Sequence, residues 1–147
     1  MASALDVAEL ILQQTGPMTT MKLQKLVYYS QAWSLVWDEK PLFDERIEAW
    51  ANGPVVRELY DAHRGRFEVD TIDGGNPAVL DGEERETILA VLEYYGDKPS
   101  QWLSDLTHME DPWRDGRRGL PDSARSDAEI THASMLEYYE SLAPEGI

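Results

Sequence analysis

The chain has 147 residues, 28 of them acidic against 13 basic, and a net charge of −15. That length predicts one domain with room for a real core, and that charge disfavours nucleic acid and anionic membranes as partners. The absence of cysteine excludes disulfides, thiol nucleophiles and thiolate metal sites.

Residues 1–6 carry no basic n-region and no long apolar h-region, so no signal peptide is read and a cytoplasmic protein is expected. Ser3 followed by Asp6 predicts a capped helix start. Ala4, Leu5, Ala8, Ile11 and Leu12 follow at helical spacing, and Gly16-Pro17 is the stop. Thr19 or Thr20 then caps a second helix that runs to about Trp37. Its apolar side chains cover nearly the whole circumference and leave Gln24 and Gln31 as a polar strip, the pattern of a central core helix. Lys22, Gln24 and Lys25 interrupt the run and argue against a membrane span, which needs roughly 20 mostly apolar residues.

Ile47 and Ala49 alternate with Glu48 and Trp50, which predicts a short strand; Phe67, Val69 and Thr71 predict another, and the two are expected to pair. Asn52-Gly53-Pro54 reads as a turn that enters a helix at Pro54, with Val55, Val56, Leu59 and Tyr60 as its apolar stripe. Asp81 caps a helix that ends at Gly96, and Pro99-Ser100 opens a shorter one. Ser126 with Glu129 forms a capping box for the last. The expected fold class is mainly α: a single domain over residues 1–147, about six helices around the central one, with a minor two-stranded β element.

Catalytic signals are missing. None of His63, His108 and His132 has a second ligand at i+3 or i+4, so no metal site is read, and His63 and His132 are expected on helix surfaces. No glycine-rich phosphate loop and no G-x-S-x-G elbow occurs, so neither cofactor nor catalytic residue is expected. Of the five tryptophans most are read as core. Trp113, between Pro112 and the cluster Arg114, Arg117 and Arg118, is the one expected at the surface, with the arginines solvated and paired to Glu110, Asp111 or Asp115. Lys22 and Lys25 stand in the first turns of the central helix, against its dipole. They read either as stems lying on aromatic surface with the ammonium in water, or as a positive notch for an acidic group of a partner.

The run Met21-Lys22-Leu23-Gln24-Lys25-Leu26-Val27-Tyr28-Tyr29-Ser30-Gln31-Ala32-Trp33 resembles the opening signature of the Panacea, or SocA-like, antitoxin domain. The resemblance continues in Glu48-Ala49-Trp50-Ala51-Asn52-Gly53-Pro54-Val55-Val56, Leu59-Tyr60, Leu103-Ser104-Asp105-Leu106-Thr107-His108, Pro112-Trp113 and the closing Tyr138-Tyr139. It implies an antitoxin of a bacterial or prophage toxin–antitoxin pair that silences a toxin encoded nearby by direct binding, and not an enzyme. The alternative that the resemblance carries is the SocA mode, an adaptor that delivers its toxin to the ClpXP protease. Family members with an added N-terminal helix-turn-helix bind DNA; here the resemblance starts close to Met1, and no DNA binding is expected. From a different class, the alternative is a small enzyme with a site near His108 and Trp113. The residues expected to meet the toxin are Lys22, Lys25, Tyr29, Arg57, Tyr60, Trp113 and Arg114.

Overall fold

In the computed structural model, which describes residues 1–142, helix α1 (Ala4–Thr15) begins at the capping box read from Ser3 and Asp6. It stops at Gly16, whose φ of +92° suits a residue without a β-carbon. A two-residue strand β1 (Met18–Thr19) leads into α2 (Thr20–Trp37), with the Thr19 hydroxyl accepting from the Lys22 amide. Every residue from Leu23 to Ala32 is buried, because α1, three later helices (Gly82–Tyr95, Ser100–Met109 and His132–Leu142) and a strand (Gly53–Val56) all pack on this one helix. The apolar circumference of α2 thus has its physical cause: it has almost no solvent side.

Strands β2 (Ile47–Trp50) and β3 (Gly53–Val56) form an antiparallel hairpin with Ile47 opposite Val56 and Trp50 opposite Gly53. This corrects the expected pairing of 47–50 with the 66–71 stretch. The latter supplies only β4 (Glu68–Val69), which pairs with β1. Pro54 is likewise a strand residue opposite Ala49 and not the first residue of a helix; α3 (Arg57–His63) starts three residues later. Among the described residues there are two small two-stranded sheets, and residues 128–130 lie along the free edge of β2. The Ala49 amide donates to Ala128 O at 2.8 Å and the Ile130 amide to Ile47 O at 2.8 Å.

A 3₁₀ turn (Pro77–Val79) precedes α4 (Gly82–Tyr95), which opens on a capping box formed by Asp81 and Glu84. Then come α5 (Ser100–Met109), the short α6 (Asp111–Gly116) and α7 (His132–Leu142). The cap of α7 is Thr131, whose hydroxyl accepts from the Ser134 amide, and not the Ser126 box read from the sequence, because residues 128–130 are drawn out along β2. The class is mainly α with minor β. Among the described residues no helix is long and apolar enough to cross a membrane.

Where α2, α4, α5 and α7 meet, the core is polar at its centre. Tyr29 stacks on Tyr95 with ring centroids 4.1 Å apart, and Tyr29 and Tyr139 both donate to Glu110 Oε1 at 2.7 Å. The one hydroxyl proton of Tyr139 is thereby used, so Tyr28 is the donor in its 3.0 Å contact with Tyr139. Burial raises the Glu110 carboxyl above its ordinary range, and the two hydroxyls that donate to it oppose that shift.

Candidate functional site

Four successive carbonyls of the β2–β3 hairpin are each held by a side chain from elsewhere in the chain. Arg117 donates to Ala49 O at 2.9 Å and Trp113 Nε1 to Trp50 O at 2.7 Å. His108 Nε2 contacts Ala51 O at 3.2 Å, and Ser104 Oγ reaches Asn52 O at 3.4 Å. A carbonyl only accepts, so Nε2 of His108 carries the proton. On the other strand Gln24 takes both backbone groups of Val56, accepting from its amide at 2.8 Å and donating to its carbonyl at 3.3 Å. The same amide group meets His63 Nε2 at 3.0 Å. With Gln24 donating, that nitrogen is the acceptor and the ring is neutral, in keeping with a His63 pKa that burial lowers. Gln24 of the polar strip, Arg117 of the basic cluster, and His63 and His108 therefore share one task, which is to fix this hairpin.

Lys25 underlies the same turn. It is 2% exposed, and a β-carbon added to Gly53 would lie 2.7 Å from Lys25 Cε and 3.2 Å from both Lys25 Nζ and Thr107 Oγ1. Burial pulls the Lys25 ammonium down from 10.5 to about 8. Below pH 8 the folded chain holds a desolvated charge that the unfolded chain hydrates, so the full penalty applies there. Between pH 8 and 10.5 the unfolded chain still binds the proton that the native state has released, and stability rises with pH. Above pH 10 the buried tyrosines, held protonated by desolvation, turn the slope downward. In chemical denaturation across this range, Lys25→Met is expected to remove the rise from pH 8 to 10 and to add about 3 kcal/mol at pH 7. A rise that persists in Lys25→Met would assign the titration to another group.

The outer side of the turn is open. Trp50, Asn52, Arg57 and Tyr60 line a cleft of about 540 Å³ together with Arg64 and with Arg125 from the loop before the 128–130 edge. Trp50 Nε1 points inward to the buried Glu48 at 2.7 Å, and its ring meets Tyr60 at 4.8 Å with 61° between planes. The Arg57 guanidinium lies 5.9 Å from the Trp50 ring centroid and pairs with Asp61 at 3.4 Å. Among the described residues Arg64 and Arg125 have no ion pair.

The chain matches the family described as antitoxin SocA-like, Panacea domain, over residues 23–114. It belongs to that family. The matched span of this Panacea domain runs from α2 into α6 and so contains the hairpin, the cleft face of α3 and three of the four carbonyl clamps. Neither the curated proteins nor the solved structures contain a match to the chain.

The expected partner residues fall into two groups in the Panacea domain. Arg57 and Tyr60 stand together in the cleft, Arg114 is exposed and pairs with Asp111 at 3.2 Å, and Lys22 is half-buried at the start of α2. Tyr29, Lys25 and Trp113 are buried and offer no surface in the free chain. Trp113 at 1% exposure overturns its expected place outside. It is the one fully buried tryptophan of the five, whereas Trp37 is 42% exposed. Arg117, at 2% exposure and 4.8 Å over the Trp113 ring, is likewise no solvated loop residue, and Glu110 serves tyrosines instead of arginines. His63 is buried, not on a helix surface. The three histidines lie apart, on Gln24, Ala51 and Gln31, and among the described residues no three candidate ligands are placed to hold a metal ion. Near His108 and Trp113, the ring nitrogens named above are bound to backbone carbonyls. Sequence reasoning missed Trp50, Asn52, Arg64 and Arg125. The only signal for them was that Trp50 and Asn52 fall inside the second motif.

Proposed function

We propose that the protein is a cytoplasmic antitoxin that neutralises a toxin encoded beside it by direct binding, and that the toxin docks on the face formed by Trp50, Asn52, Arg57 and Tyr60. Membership of the SocA-like family supports the antitoxin role. The observation that carries the choice of face is the clamp. Four carbonyls and a buried lysine are fixed around a turn whose outer surface is left to solvent. A binding surface held in one geometry before contact loses less entropy on association. Electrostatics adds orientation: a basic toxin is drawn towards a chain of charge −15, while the arginines of the cleft accept one acidic feature of it. Lys22 and Arg114 lie outside the cleft.

Co-expression with the neighbouring gene is expected to restore growth, and the two proteins are expected to copurify in fixed stoichiometry. Growth restored without a complex, and with toxin loss that requires ClpXP, would move the reading to the adaptor mode. Failure to restore growth would end both.

A further inference from the structure

The cleft holds more specific chemistry than a docking face for an acidic segment requires. We propose that it is a binding site for a phosphorylated nucleotide, an inference that does not depend on the toxin reading. Three arginines line it from two separate parts of the chain, Arg57 and Arg64 from α3 and its end, and Arg125 from the loop after α6. Asp127 is the one acidic residue of the lining, and Asp61 pairs with Arg57 at 3.4 Å, in a chain that is otherwise strongly acidic. Arg64 and Arg125 have no ion pair among the described residues, so their planar forks are open to the oxygens of a phosphate. The cleft volume of about 540 Å³ falls inside the ordinary small-molecule range of roughly 300–1,000 Å³.

The aromatic wall decides between a nucleotide and a bare anion. Trp50 has its one polar atom bound to Glu48 on the inner side, and Tyr60 meets it edge-on, so what the cleft receives from Trp50 is ring. Such a surface takes a planar base by stacking. The exposed Asn52 amide offers a donor and an acceptor to a base edge, and Asp127 offers acceptors to a ribose hydroxyl pair. A bare anion would engage the arginines and leave the ring, amide and carboxylate unused.

Calorimetric titration of the full chain with ATP, GTP and inorganic pyrophosphate tests this. Both nucleotides are expected to bind in the micromolar range, and pyrophosphate at least tenfold more weakly. Arg64→Gln with Arg125→Gln is expected to weaken all three at least tenfold. Trp50→Leu should lower nucleotide affinity alone, and Tyr60→Leu serves the same comparison if Trp50→Leu lowers the thermal midpoint. No nucleotide binding by the wild-type chain would overturn the proposal. So would nucleotide binding that the arginine pair does not affect. Loss of a toxin complex in the arginine variant, with no nucleotide bound by the wild type, would make the cleft a protein-docking site instead.

Discussion

Arg117→Met is expected to lower stability by about 3 kcal/mol, and Arg114→Met by less than about 0.5 kcal/mol. The guanidinium of Arg117 ties Ala49 O at 2.9 Å to Pro121 O at 2.8 Å and also reaches Ala124 O, so one side chain fastens the 121–124 loop to the hairpin. Methionine fills much of the volume but leaves the buried Ala49 carbonyl without this donor, at about 1–3 kcal/mol, and the part-buried Pro121 and Ala124 carbonyls as well, at less each. Part of that loss is offset, because Arg117 Nε is itself buried without a partner and its desolvation is relieved. The exposed Arg114–Asp111 pair has no such dependents. For a chain of this size the Arg117 change corresponds to a midpoint shift of roughly 10 °C in thermal unfolding. Equal, small shifts for the two variants would mean that the carbonyl clamp does not hold the turn.

Gly53→Val is the second large effect, at about 4 kcal/mol. Gly53 has φ of +118°, where an L side chain is strained by roughly 1–3 kcal/mol. Its β-carbon would also meet Lys25 Cε at 2.7 Å, and the buried Lys25 has little room to swing aside, so overpacking adds about 1–3 kcal/mol. Pro54→Ala should change stability by less than about 1 kcal/mol, because Pro54 is a strand residue opposite Ala49 and sets no helix start. Thermal unfolding of the two single variants separates them. A Pro54→Ala loss as large as that of Gly53→Val would restore the helix-start reading of this turn.

The central helix was legible because burial on all sides leaves a pattern that depends on local composition alone. So were the caps at Ser3, Thr19 and Asp81, where donor and acceptor lie three residues apart. The hairpin was not. Pro after a turn suits a helix start and a strand equally, and only the backbone at Gly53, bent to place 53–56 against 47–50, decides for the strand. Trp113 was misread for a related reason. Its sequence neighbours are proline and arginine, but its indole finds a carbonyl 63 residues away. Gln24 and Gln31 look like a solvent strip on a helical wheel, yet both serve loops: Gln31 accepts from the Leu42 amide at 2.7 Å and donates to Phe43 O at 2.8 Å. Long-range polar pairing of this kind has no local period to read. The cleft shares the difficulty, since Arg57 and Tyr60 fall one helical turn apart, whereas Arg125 arrives from a loop with no motif of its own.

A second face competes for the partner. Trp33 and Trp37 stack at 5.0 Å, and Trp33 Nε1 donates at 3.1 Å to Tyr95 of α4, whose ring meets that of the exposed Tyr94 at 4.6 Å. Deuterium exchange of the chain, free and in complex with its copurified toxin, distinguishes the two faces. The proposed contact requires new protection over residues 50–64 and 125–127, with residues 33–37 and 94 unchanged. Protection confined to the Trp33, Trp37 and Tyr94 surface, with the hairpin and α3 exchanging as in the free chain, would contradict it.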